Sequence, residues 1–149
     1  MIRQRLGKDL LFFDGGMGTL LQEKGLAPGE LPETWNLTHS EEIYKIHRQY
    51  IEAGSDIILT NTFGANALKF HDDSCSLEEI IKAAVSHVKK AEREALLQTG
   101  DERKIYTALD VGPTGKLLKP MGDLEFETAY EAFKEVVILG EQAGADLIH

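Results

Sequence analysis

The chain has 149 residues, the length of one domain and too short for two large ones. With 42% hydrophobic and 28% charged residues it is globular rather than disordered, and its net charge of -9 argues against nucleic acid or an anionic membrane as partner. There is no apolar run near the roughly 18 residues of a membrane span, no signal-peptide core behind the basic N-terminus, and a single cysteine, so a cytoplasmic protein without an internal disulfide is expected.

In chain order, short apolar runs alternate with amphipathic stretches. Leu10-Leu11-Phe12-Phe13 predicts a buried strand, ended by Asp14-Gly15-Gly16. Ile43, Ile46, Tyr50 and Ile51 recur at helical spacing, with Thr38 or Ser40 as the N-cap and Glu41 and Glu42 in the first turn. Ile57-Ile58-Leu59-Thr60 is a second strand, ended by Asn61-Thr62-Phe63-Gly64. Ser76-Leu77-Glu78-Glu79 has the form of a capping box, and Ile80, Ile81, Ala84, Val85, Val88 and Ala91 follow on one helical face. Residues 105–111 form a third strand, ended by Gly112-Pro113-Thr114-Gly115. Phe126, Ala129, Tyr130, Phe133, Val136, Val137 and Gly140 mark a third helix, and Leu147-Ile148 opens a fourth strand.

Continuous apolar strands separated by helices predict a parallel sheet with right-handed crossovers. The joint Glu52-Ala53-Gly54-Ser55-Asp56-Ile57-Ile58 resembles Gln142-Ala143-Gly144-Ala145-Asp146-Leu147-Ile148. In each, Gly should end a helix in the left-handed conformation and Asp should lead into a strand. The strand-to-helix loops, at 14–19, 61–66 and 112–119, are long, polar and Gly-rich, whereas the helix-to-strand joints are short. In parallel α/β folds the site lies at the carboxyl ends of the strands, which is where these loops fall. A (β/α)8 barrel takes about 250 residues. With the strands in sequential order, this chain reads as one domain over 1–149, roughly the first half of such a barrel, cut in its fourth strand. Its bare sheet edges would then favour self-association.

Each motif has an ordinary reading beside the functional one. The glycines of Asp14-Gly15-Gly16-Met17-Gly18-Thr19 either converge backbone N–H groups on an anion or form a tight turn into a helix. A dinucleotide fingerprint fails at Leu21, where a third Gly belongs. A P-loop fails because Leu117 follows Lys116 and Asp110 stands for the first Gly. Thr60-Asn61-Thr62-Phe63 either orients a small polar ligand or satisfies loop backbone, and Gly112-Pro113-Thr114-Gly115 is equally readable as a plain turn. Cys75 precedes the Ser76 cap and should staple onto Ile80 rather than act as a nucleophile. His47 and His87 lie within helices and His39 and His71 in loops, with no spacing that suggests a metal site.

Taken together, the segments beginning at Phe13-Asp14-Gly15-Gly16-Met17-Gly18-Thr19, Glu52-Ala53-Gly54-Ser55-Asp56 through Thr60-Asn61-Thr62-Phe63-Gly64-Ala65, and Asp110-Val111-Gly112-Pro113-Thr114-Gly115 resemble the homocysteine S-methyltransferase family. Leu31-Pro32-Glu33-Thr34-Trp35-Asn36 fits as well. The resemblance is closest to the homocysteine-binding barrel of cobalamin-dependent methionine synthases. It implies a (β/α)8 TIM barrel that binds homocysteine through Asp14, Gly15, Gly16 and Met17 on one loop and Asn61, Thr62 and Phe63 on another. It further implies Zn²⁺ on three cysteine thiolates, keeping the substrate sulfur as thiolate where a free thiol of pKa about 8.5 is mostly protonated. Methylcobalamin would be the methyl donor, on a downstream domain or protein. The zinc ligands would belong to later strands and Cys75 matches none, so this chain should hold part of the substrate site, no catalytic residue and no metal site, and be inactive alone. The rival readings are a self-contained flavodoxin-like ligand-binding domain and a non-catalytic module that pairs with its own copy.

Overall fold

The computed structural model describes residues 2–70, 74–100 and 102–149. Its helices are α1 (Met17–Glu23), α2 (Trp35–Thr38), α3 (Ser40–Glu52), α4 (Leu77–Thr99) and α5 (Phe126–Ala143); its strands are β1 (Ile57–Leu59), β2 (Tyr106–Leu109) and β3 (Leu147–Ile148). The sheet has the order β1-β2-β3, and all pairs are parallel. Phe13 adds a parallel bridge to Ile57 on the free side of β1. The four extended segments therefore lie side by side in chain order, as consecutive βα units do, and not in the rearranged order of a flavodoxin-like sheet.

The repeated Gly-x-Asp joint does one mechanical job twice. Gly54 and Gly144 both adopt left-handed backbone, with φ of 110° and 94°. Asp56 then donates its N–H to the Phe12 carbonyl at 2.8 Å and accepts the Phe12 N–H on its carboxylate at 3.1 Å. Asp146 treats Thr107 the same way, at 2.8 and 2.9 Å. Each aspartate thus stitches the start of its strand to the preceding strand.

Side chains alternate across the sheet. Ile57, Tyr106 and Ala108 form one cluster with Ile2, Leu11, Leu59 and Leu147, while Ile58 and Leu109 point to the helical layer. Ile58 packs with Tyr44 and Ile51 of α3 and Val88, Ala91 and Ala95 of α4; Leu109 packs with Ile80 and Ile81 of α4 and Val136 of α5. The Ser76 capping box forms as expected, with the Ser76 side chain accepting from Glu79 N–H at 3.2 Å and Glu79 accepting from Ser76 N–H at 2.8 Å. Cys75 packs beside Leu77 against the cluster that holds Ile80. His47 is fully buried on α3, and burial, with a smaller effect of His87, pushes its pKa down to about 3, so it is a neutral core residue. His71, expected in a loop, lies outside the described residues.

Three expectations need correction. The cap of α3 is His39, with Ser40 as the first helical residue and Thr38 Oγ1 turned back to the Thr34 carbonyl at 3.1 Å. The first apolar run is not a buried strand: only Phe13 bridges, and Leu10, Phe12 and Phe13 are exposed. Among the described residues that segment pairs only with β1; Leu11 packs against the cluster around Ile57, while Leu10, Phe12 and Phe13 keep much of their surface in solvent. The face of α5 is also rotated. Its buried residues are Ala129, Ala132, Val136 and Gly140, while Phe126 and Tyr130 are exposed.

Gly140 shows why the small face turns inward. A Cβ there would lie 2.3 Å from Leu109 Cδ2, and Leu109 is completely buried and cannot yield. In an ordinary helix interior Gly→Ala gains about 1 kcal/mol. Here Gly140→Ala should instead destabilise by about 1–3 kcal/mol, the usual cost of overpacking, read by urea denaturation.

Candidate functional site

The carboxyl ends of the extended segments deliver Asp14, Thr60 with Asn61, Asp110 and His149 to one side of the sheet. Asp14 donates its N–H to the Ile57 carbonyl at 3.0 Å, and its two carboxylate oxygens take the Leu59 N–H at 3.1 and 3.2 Å. The side chain thereby stands where a further backbone acceptor of the ladder would be. Burial pushes its pKa up to about 7, the Leu59 N–H opposes that, and Asp110 adds to it. Asp110 is also raised, first by burial, while His149 Nδ1 at 3.4 Å from its Oδ1 pulls the other way. His149 also tilts against Phe13, with ring centroids 5.3 Å apart.

Gly15, directly after Asp14, serves close approach rather than left-handed backbone. A Cβ on Gly15 would sit 2.8 Å from the Tyr50 hydroxyl. That hydroxyl donates to the Gly16 carbonyl at 3.2 Å and is raised in pKa by burial and by Asp14. Gly16 is the N-cap of α1 and Met17 its first residue, so the expected loop at 14–19 is already helical from Met17.

The second loop is knitted to the third. Thr60 and Thr62 hydroxyls lie 2.6 Å apart, Thr60 Oγ1 accepts from Asp110 N–H at 3.1 Å, and Thr62 Oγ1 donates to the Asp110 carbonyl at 2.8 Å. Asn61 Nδ2 donates to the Pro32 carbonyl and Asn36 Nδ2 to the Asn61 carbonyl, both at 2.8 Å. These side chains are buried, and the contacts just named hold loop backbone. Gly112 is required by contact: a Cβ would lie 2.2 Å from the Phe63 carbonyl oxygen. Gly115, in contrast, has φ of 78° and turns the chain.

These loops enclose a cleft of about 520 Å³. Asp14, Gly15, Gly16, Met17, Asn61, Thr62 and Phe63, all expected at the site, line it together. So do residues that sequence reasoning did not assign: Glu30, Leu31, Pro32, Glu33, Lys69 and Asp110. Glu33 is buried, and its Oε1 accepts the Gly64 N–H at 2.5 Å. The only signal for that pair is Gly64 itself, where a Cβ would meet Glu33 Oε1 at 2.6 Å. Glu30 takes Trp35 Nε1–H at 2.7 Å and the Ala27 N–H at 2.9 Å. The walls are largely apolar, and among their described charged side chains the carboxyls of Asp14, Glu30, Glu33 and Asp110 outnumber the single cation of Lys69, which suits a small ligand with an apolar body and a cationic group.

The donor set does not fit zinc. Cys75 is the sole cysteine of the chain, and among the described residues no group of three or more His, Cys, Asp or Glu could hold a metal ion.

Comparison with known proteins adds an independent line. A family model described as homocysteine S-methyltransferase matches residues 11–149. Methionine synthase of Mycobacterium leprae is 30% identical over 151 residues, covering 97% of this chain and 12% of that protein. Among solved structures, the homocysteine methyltransferase MmuM of Escherichia coli superposes in its oxidized form with a TM-score of 0.82 at 23% identity, over 99% of this chain and 55% of that one. Its apo form gives 0.72 at 25% identity, over 95% of this chain and 49% of that one. The chain thus spans about half of MmuM and a small part of the synthase. With a family model matched along nearly its whole length, the chain belongs to the homocysteine S-methyltransferase family.

Proposed function

We propose that this chain is the amino-acid-binding half of a homocysteine S-methyltransferase (β/α)8 barrel of the methionine synthase type. In this reading residues 1–149 are one part of a barrel domain interrupted in its fourth strand. The observation that carries it is the cleft itself: the loops after the first two extended segments converge on a half-buried Asp14 at the carboxyl side of a sequentially ordered parallel sheet. Asp14 is the partner for the substrate ammonium. Gly15, Gly16, Met17, Asn61, Thr62 and Phe63 shape the wall around the amino-acid end.

Methyl transfer also needs a sulfur kept as thiolate. In the family that task implies zinc on cysteine thiolates, and the chain has a single cysteine, with no such site among the described residues. Zinc and methylcobalamin are therefore assigned to partners or residues outside these 149, and the chain alone to partial substrate binding. The same reading places it in the cytoplasm. Leu10, Phe12 and Phe13, exposed along the open side, are where a further βα unit or a second copy would pack.

The test is an amide NMR titration with L-homocysteine, with inorganic phosphate in parallel, together with zinc analysis and a methyl-transfer assay. Homocysteine should shift the amides of Gly15, Gly16 and Asn61 with weak affinity, the chain should carry no stoichiometric zinc, and no methionine should form. Shifts caused by phosphate alone would favour a phosphate-binding module. Turnover by the 149-residue chain would show the chemistry to be misplaced.

A further inference from the structure

One wall of the cleft is built from irregular chain. Glu30, Leu31, Pro32 and Glu33 line it, and they lead through a single turn, Pro32–Thr34, into the four-residue α2. So short a helix is not stable by itself, and its place depends on what holds it. Three hydrogen bonds tie this wall to the loop after β1. Asn36 Nδ2 donates to the Asn61 carbonyl and Asn61 Nδ2 to the Pro32 carbonyl, both at 2.8 Å, and Gly64 N–H donates to Glu33 Oε1 at 2.5 Å. Two irregular segments that hold each other can still open together, so the pair needs anchors in regular structure. The loop has one in the sheet, where Thr60 N–H donates to the Ala108 carbonyl of β2 at 2.9 Å.

The wall has its anchor in α4. His87 Nε2 lies 2.7 Å from the Asn36 carbonyl, 51 positions away in the chain. A carbonyl oxygen only accepts, so Nε2 carries the hydrogen and donates it. His87 is half-buried in the middle of a 23-residue helix whose Ala84, Val85 and Val88 are buried, so the ring reaches the wall from an element packed into the core. Asn36 is the hub, since its carbonyl takes His87 and its side-chain amide gives to Asn61. Asn36 is itself buried, and among the described residues no group pairs with its Oδ1. An apolar side chain would fill that place without leaving an acceptor unpaired, so the amide is explained by the Asn61 carbonyl that it holds.

We propose that His87 is a positioning residue of the cleft: through the Asn36 carbonyl it fixes the wall that carries Pro32 and Glu33, and through the Asn36 amide it fixes the loop at Asn61. It acts from outside the cleft lining and touches no substrate. A binding site keeps its shape when the groups behind it are locked by packing and hydrogen bonds, and His87 supplies that lock from the helical layer. The proposal takes its ligand from the amino-acid reading of the cleft and adds the residue that braces the wall opposite the sheet.

The experiment sets His87→Leu and His87→Gln beside wild type, with amide hydrogen exchange of the free proteins and L-homocysteine dissociation constants from amide NMR titrations. Leu removes the donor, whereas Gln keeps an N–H donor on a side chain of similar reach. Gly64 N–H reports the wall, because Glu33 holds it, and Thr60 N–H reports the sheet side, because Ala108 holds it. In His87→Leu, Gly64 exchange should quicken by about tenfold while Thr60 stays unchanged. Homocysteine should bind that variant about fivefold more weakly, the loss of one neutral hydrogen bond. His87→Gln should stay within about twofold of wild type on both readouts. Unchanged Gly64 exchange in His87→Leu, homocysteine affinity untouched while Gly64 quickens, or equal losses in Leu and Gln would each overturn the assignment of His87. So would Gly64 and Thr60 quickening together, which reports a looser fold rather than a freed wall. Failure of wild type to bind homocysteine would overturn the amino-acid reading, and the exchange rates would still decide on His87.

Discussion

Homocysteine affinity is expected to rise as the pH is raised from about 6 to about 8 and then to level off, with Asp14 as the group responsible. Burial lifts the Asp14 carboxyl to about 7, against the opposing Leu59 N–H and with the help of nearby Asp110. Below that value the side chain is mostly neutral and offers the substrate ammonium only a dipole. Above it the full charge is present in a partly desolvated place, where an ion pair is stronger than in water. Bound ammonium stabilises the charged form in turn, so the midpoint in the complex should lie below that of the free protein. Asp14→Asn keeps the size of the side chain and an acceptor for Leu59 N–H but removes the charge. It should weaken binding by about tenfold to a hundredfold at pH 8, the range of a charged hydrogen bond, and flatten the profile. Asp110 and His149 also face this region, so the flattening is what assigns the titration. A profile unchanged in Asp14→Asn would show that Asp14 is not the group that sets it.

What was legible in the sequence was local. The capping box at Ser76 needs only Glu79 three positions on, and the left-handed Gly54 and Gly144 each follow directly from a helix that must end before an Asp-led strand. The apolar stripe of α4 carries Ile80, Ile81, Ala84, Val85, Val88 and Ala91 inward as its period requires. Periodicity was insufficient on α5, because two adjacent stripes are apolar. Side-chain size alone favours Phe126 and Tyr130, but the close approach of Leu109 to Gly140 decides for the small residues. The first extended run departs from expectation for a related reason, since an apolar run reports what a strand can bury and not whether a neighbour covers it.

The site divides the same way. Asp14 and the residues around Asn61 stand at strand ends, and strand ends are readable from apolar runs that stop at Gly and Asn. The other wall is not, because Glu33 meets Gly64 across 31 positions and Asn61 meets Pro32 across 29. Such pairs leave no periodic trace. The polar run Thr60-Asn61-Thr62 admitted both a ligand-orienting and a loop-building reading, and the side-chain contacts described above are loop-building, with Thr62 bound to Asp110 and Asn61 to Pro32.

The same Asp14→Asn substitution should make the free protein more stable at neutral pH. The folded-state value of about 7 stands above the ordinary 3.8 of an unfolded aspartate. Between those values the folded protein holds a proton that the unfolded chain has released, so the stability associated with Asp14 is fully present below about pH 4 and is lost as the pH rises through about 7. Asn has no such titration, and groups common to both proteins cancel in the difference. The stability of Asp14→Asn relative to wild type should therefore grow across that window and stay constant above it. The gap should reach roughly 2 kcal/mol, well below the full electrostatic cost, because Asp14 keeps some contact with solvent. Urea denaturation of both proteins at several pH values between about 4 and 8 measures it, with the slope of each transition checking that the unfolded state is unchanged. A gap independent of pH would mean that Asp14 is not held against its ionisation. A wild type more stable than Asp14→Asn at high pH would mean that the Leu59 N–H outweighs burial. If the gap opens as expected while homocysteine affinity falls, the charged carboxylate is retained against folding stability, and its place is explained by the ligand ammonium rather than by the fold.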